Sequence, residues 1–132
     1  MYMPTLRDAR PVARYVIGPY IAVVLTDCES VGMIDYKHVL MVYLPEPQSH
    51  TKPQVVLAVA AELSSYLIEN DPEHDQPAYF MGVFPGDGHH NLGASPDWSD
   101  LKKFTTQALK VACKHLHIQR KPIRVSDEPV YH

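Results

Sequence analysis

YFMGVF (79–84), PGDG (85–88), HHNLGAS (89–95) and PDWSDLKKFTTQALKVACKHL (96–116) run consecutively, and their succession decides the fold. The first segment is rich in aromatic and β-branched residues and predicts a strand. Pro85-Gly86-Asp87-Gly88 supplies a turn, because proline presets one dihedral and glycine accepts positive φ. A short return strand follows. Ser95 and Pro96 then fit an N-cap and the first helical position. Asp97 and Asp100 place negative charge where the helix dipole favours it. At 100° per residue, Trp98, Leu101, Phe104, Ala108, Leu109, Val111, Ala112 and Leu116 share one broad face. Lys102, Lys103, Thr106, Gln107, Lys110 and Lys114 lie opposite. An amphipathic helix over Ser95–Leu116, laid on a sheet, is the expectation.

Upstream, Ala13–Ile17 reads as a short strand, turned by Gly18-Pro19 into a stronger one over Tyr20–Thr26. The acidic segment Asp27–Asp35 reads as a loop, and HVLMVYL (38–44) as a third strand stopped by Pro45 and Pro47. The segment PQVVLAVAAELSSYLIEN (53–70) carries two readings. Thr51 and Gln54 at capping-box spacing, with alanine-rich content, favour a helix. Val55-Val56 and the run of neighbouring strands favour a strand over Gln54–Leu63, which is the preferred reading. Asn70–Pro77 is a proline-rich acidic loop, in which Asp71 and Glu73 read as solvated surface.

The fold expected is therefore α+β: an antiparallel sheet of about four to six strands with one long C-terminal helix packed on one face. The alternative is a β-β-α-β-α two-layer sandwich in which residues 54–69 form a second helix. The chain of 132 residues is the size of one domain. Residues 117–132, too poor in apolar side chains for a core of their own, form a C-terminal arm. YIAVVL, HVLMVYL and YFMGVF are apolar on both alternating faces, and one helix covers only one of them. A homodimer is the expected remedy.

The net charge of −3 conceals an asymmetry. Residues 1–100 hold 5 basic and 13 acidic side chains, and residues 101–132 hold 7 basic and 2 acidic. A basic end suits an acidic partner, but no aromatic residues interleave with the cations, so nucleic-acid binding is not expected. No apolar run reaches the length of a membrane span and no signal-peptide core opens the chain, which points to a soluble cytoplasmic protein. Cys28 and Cys113 are expected to be free thiols in a reducing compartment.

Asp87, His89, His90 and Asn91 form the polar cluster most worth a functional question. Imidazole and carboxylate suit zinc, nickel or iron. Yet His89 and His90 are adjacent, and adjacent strand residues point to opposite faces. A polar hairpin tip, with one His solvated and the other hydrogen-bonded to backbone, is the preferred reading; Asp87, His89, His90 and Asn91 are the candidate ligand-binding residues, with no metal and no cofactor expected. Asp87, Asp97 and Asp100 disfavour phosphate at the helix start. Cys113, His115 and His117 do not converge on the helical wheel, although Lys110 and Lys114 offer Cys113 a lowered pKa. Ser64, Ser65, Ser95 and Ser99 lie in no nucleophile elbow. Glu62, a lone acid in an apolar segment, must face water or find a partner. A small binding or protein-interaction module without chemistry of its own is the function these features favour. The alternative is an enzyme or metal-binding protein with a site around Asp87, His89 and His90, for which Glu62 is a further candidate.

Overall fold

A computed structural model describes residues 6–30, 35–45, 54–63, 79–85, 88 and 90–125. Seven strands form one antiparallel sheet: β1 (Leu6–Ile17), β2 (Tyr20–Ser30), β3 (Asp35–Leu44), β4 (Gln54–Leu63), β5 (Tyr79–Phe84), β6 (His90–Ser95) and β7 (Ile123–Val125). Their order across the sheet is β6-β5-β4-β3-β2-β1-β7. Strands β1 to β6 are neighbours in sequence and in space. After β6 comes a 3-10 turn (Pro96–Ser99), then helix α1 (Leu101–His115), and the chain returns to the far edge as β7.

The α+β reading holds, with one strand more than the expected upper bound of six. The extra strand is β7, a three-residue pairing of Ile123–Val125 with Val16–Arg14. No period-2 pattern can be recognised over three residues between Pro122 and Ser126; only the neighbouring β1 edge creates the strand. The tail thus begins by pairing with its own chain. Residues 126–132 lie outside the described residues.

The ambiguous segment is a strand with the expected bounds, Gln54–Leu63, and the helical alternative fails for those residues. Leu57 to Ala61 are at most 1% exposed, because β4 pairs with β3 on one side and β5 on the other and carries apolar residues on both faces. Two ladders and two buried faces outweigh the few tenths of a kcal/mol per residue by which alanine-rich sequence prefers helix. Residues 64–69, and with them Ser64 and Ser65, lie outside the described residues, as does the segment 70–77 that the sequence reads as a loop.

Strand β2 runs on to Ser30 rather than ending at Thr26, so the first part of the expected loop is paired with β1. Asp27 makes this possible at a bulge, taking φ 51, a left-handed conformation that aspartate tolerates better than most residues. Arg10 Nε donates to Asp27 Oδ2 at 3.0 Å and Arg7 lies 3.6 Å from Glu29, both exposed pairs. Strand β1 starts at Leu6, earlier than expected, and accommodates Pro11 at a register shift.

The expected single helix is broken in two. Ser95 Oγ accepts from Asp97 N at 3.1 Å, but this caps only the 3-10 turn. Asp100 is extended (φ −83, ψ 121), and its side chain accepts from Lys103 N at 2.9 Å, which makes it the N-cap of α1. The end of α1 is a Schellman motif. Ile118 N donates to Cys113 O at 2.9 Å and His117 N to Lys114 O at 3.4 Å, with His117 left-handed at φ 56.

Helix α1 packs across β3 and β4. Phe104, Ala108, Leu109, Val111 and Ala112 join Val24, Leu40, Val42, Leu57, Val59, Met81 and Val83 in the main core. On the opposite face Val39, Ala58 and Ala60 are fully buried, and Tyr36 meets Phe84 edge-on at 6.4 Å. Among the described residues the large hydrophobics left exposed are Leu44, Leu92 and Ile123. No described helix is long and apolar enough to cross a membrane.

Candidate binding groove

The polar cluster at the hairpin is only half described. Asp87 and His89 lie outside the described residues. His90 and Asn91 are exposed on β6, opposite Val83 and Gly82 respectively, and so point to different faces. Asn91 Oδ1 accepts from Gly93 N at 2.8 Å, which stabilises the left-handed Gly93 (φ 106) at the bulge in this end strand. Among the described residues no group of three or more His, Cys, Asp or Glu stands close enough to hold a metal ion.

For Cys113 the expectation is reversed. Burial pushes the Cys113 thiol up, where Lys110 and Lys114 were expected to pull it down. Cys113 packs against the core while the lysines project into water, so desolvation wins. Both His115 and His117 are exposed. Burial and then Asp27 raise the Cys28 pKa to about 11. Glu62 is buried, 5% exposed, on the face away from α1 and across from Tyr36. Burial and then the Glu62 charge raise the Tyr36 pKa.

His38 was legible only as a strand residue, yet it is 3% exposed and fully engaged. Its Nε2 lies 3.0 Å from Ser99 O, and its Nδ1 lies 2.9 Å from Thr26 Oγ1. A carbonyl only accepts, so Nε2 carries the proton and Nδ1 accepts from the threonine hydroxyl. The ring also stacks at a tilt on Phe104, 5.5 Å between centroids. Burial lowers the pKa, against opposing contributions from Ser99, Asp100 and Asp27. The imidazole pins the 3-10 turn, and therefore the start of α1, to β2 and β3.

That pinned position leaves a concavity beside the helix. Seven strands spaced about 4.8 Å apart make a sheet roughly 29 Å wide, whereas a helix with its side chains is about 10 Å across. With α1 over β3 and β4 and the 3-10 turn against β5, the β1–β7 side is left as a trough. Two depressions of about 560 and about 680 Å³ lie along it and share Tyr15, Thr105 and Thr106. Leu101, Thr105, Leu109 and Cys113, four residues apart, form the inner helical wall. Lys102, Thr106, Lys110 and Lys114, the next row round, form the lip. Val12, Ala13 and Tyr15 of β1 form the other wall, and Ile118 to Pro122 close the end. The Schellman turn at His117 directs Ile118 back towards Gly18, where a Cβ on the glycine would stand 3.4 Å from the Ile118 side chain.

Among the described residues the lining of the groove is predominantly cationic: Lys102, Lys110, Lys114, Arg120, Lys121 and Arg124 against Asp100. All six cations are exposed, and among the described residues none of them is in an ion pair. The basic C-terminal quarter is legible in the sequence, but its assembly beside an apolar floor is not. The rotation of α1 against β1 and the return of β7 decide it. Comparison with protein-family models, with characterised proteins and with solved structures finds no match to this chain.

Proposed function

We propose that this protein is a small binding or protein-interaction module without chemistry of its own, and that its working surface is the groove between α1 and β1–β7. One observation carries the reading: a continuous trough with an apolar floor and a lip of cations that form no ion pair among the described residues, on a chain whose net charge is negative. Partly apolar concavities with a few convergent polar groups are where ligands dock. An array of random-sequence peptides probed with the wild type and with Thr106→Trp is the test. Thr106 lies where the two halves of the groove meet, so tryptophan there fills it. The wild type should retain a set of peptides that the variant loses; identical retention, or none by either, removes the groove from consideration.

The proposal includes assembly as a homodimer, supported by β6. This strand ends the sheet, carries no formally charged residue and exposes Leu92 to 51%. The opposite end is guarded by Pro11, Arg7, Arg10 and register shifts of the kind that discourage edge pairing. Light scattering should give a two-chain mass that Leu92→Lys reduces to one. A one-chain wild type at micromolar concentration refutes the dimer.

A further inference from the structure

We infer that the groove takes an acidic, extended segment of a partner protein, with carboxylates along the lip and apolar side chains on the floor. The inference rests on the groove being the working surface and adds the chemistry of what fills it. The lip row on α1 reads Lys-Thr-Lys-Lys at four-residue intervals, and the floor row beside it reads Leu-Thr-Leu-Cys. Two parallel rows, one cationic and one mostly apolar, match a chain whose side chains alternate between two directions, as in a β-strand. From Leu101 to Lys114 the helix rises about 20 Å, which accommodates roughly six residues of extended polypeptide.

Charge complementarity sets the sign of the occupant, since among the described residues six cations face one carboxylate. A polynucleotide also supplies negative charge. Single strands, however, are held by aromatic side chains on which bases stack, and among the described residues Tyr15 is the only aromatic one lining the groove. The acidic remainder of the chain also opposes a long polyanion, which would extend well past the groove. A short acidic peptide meets neither obstacle.

Cys113 makes occupancy directly readable, because its thiol lies partly exposed in the groove floor. In a Cys28→Ser background, alkylation of Cys113 at alkaline pH is timed with and without added ligand. The probe is an eight-residue peptide alternating glutamate and leucine; the comparators are its glutamine–leucine counterpart and an oligothymidylate. The glutamate peptide should slow alkylation several-fold, and added salt should reverse much of the effect. Its affinity, read by fluorescence anisotropy, should fall about tenfold or more in Lys110→Glu/Lys114→Glu. It should fall less in Lys110→Gln/Lys114→Gln and hold in Lys37→Glu, whose cation is outside the groove.

Equal protection by the glutamine peptide, or none by either peptide, overturns the inference. Stronger protection by the oligothymidylate reassigns the groove to nucleic acid, and protection that rises with protein concentration alone reassigns it to a second copy. The two levels of the argument fail separately. Neutral or basic peptides on the array that Thr106→Trp abolishes would leave the binding module standing and remove only the acidic partner.

Discussion

Replacing His38 with leucine should destabilise the fold by about 2–3 kcal/mol and remove a component of its pH dependence. The imidazole holds two buried hydrogen bonds, to Thr26 Oγ1 at 2.9 Å and to Ser99 O at 3.0 Å. Each contributes about 1 kcal/mol net, and loss of the ring contact with Phe104 adds about 0.5–1 kcal/mol. Leucine restores some apolar packing but leaves the threonine hydroxyl and the carbonyl without their imidazole partner. The sign of the pH effect follows from the lowered pKa of His38. The folded state favours the neutral ring, so the stability it contributes is fully present above the unfolded value of 6.5 and is lost as pH falls from there through the folded pKa. One proton bounds the slope at about 1.4 kcal/mol per pH unit. Urea unfolding at pH 7.5 and at pH 5.5, for wild type and variant, measures both quantities. The wild type should lose more stability on acidification than His38→Leu does. Amide exchange at Lys103 and Phe104 should accelerate in the variant, because the start of α1 loses its pin. Equal stabilities, or an equal pH slope in the two proteins, would refute the reasoning.

Phe104 is fully buried at the centre of the helix–sheet core, so Phe104→Ala should cost about 3–5 kcal/mol by denaturant titration. His117 occupies a left-handed position with a Cβ; His117→Gly should stabilise by about 1 kcal/mol and raise the thermal midpoint, because glycine takes the left-handed position of the Schellman turn without strain. Asp100 caps α1 whereas Ser95 caps only the 3-10 turn. Asp100→Ala should therefore cost more than Ser95→Ala, and Asp100→Asn should recover most of the loss; the reverse ranking would restore one continuous helix. The hydrogen bond from Lys103 N is the largest cause of the lowered Asp100 pKa. Stability from this cap is accordingly present above the ordinary carboxylate value of 3.8 and lost below it, a dependence that Asp100→Asn should abolish.

The sequence by itself determined whatever a local pattern can encode. Gly18-Pro19 turns β1 into β2 with glycine at positive φ. YFMGVF is β5 and Gln54–Leu63 is β4, each with the bounds read from its residues. The wheel places Phe104, Ala108, Leu109, Val111 and Ala112 on the buried side, as observed. It missed Thr105, which is buried because its Oγ1 donates to Leu101 O at 2.7 Å and so satisfies its own polar group within the helix.

Only the tertiary structure decided the rest. Nothing in IRV announces β7; the strand exists because β1 offers an unpaired edge when the chain returns past α1. The role of His38 depends on Thr26 and Ser99, which lie 12 and 61 residues away. The groove depends on where a helix about 10 Å wide rests on a sheet about three times wider. Hydrophobic periodicity says which face of a helix is buried, but the position of that helix across the sheet is set by contacts between residues far apart in the chain.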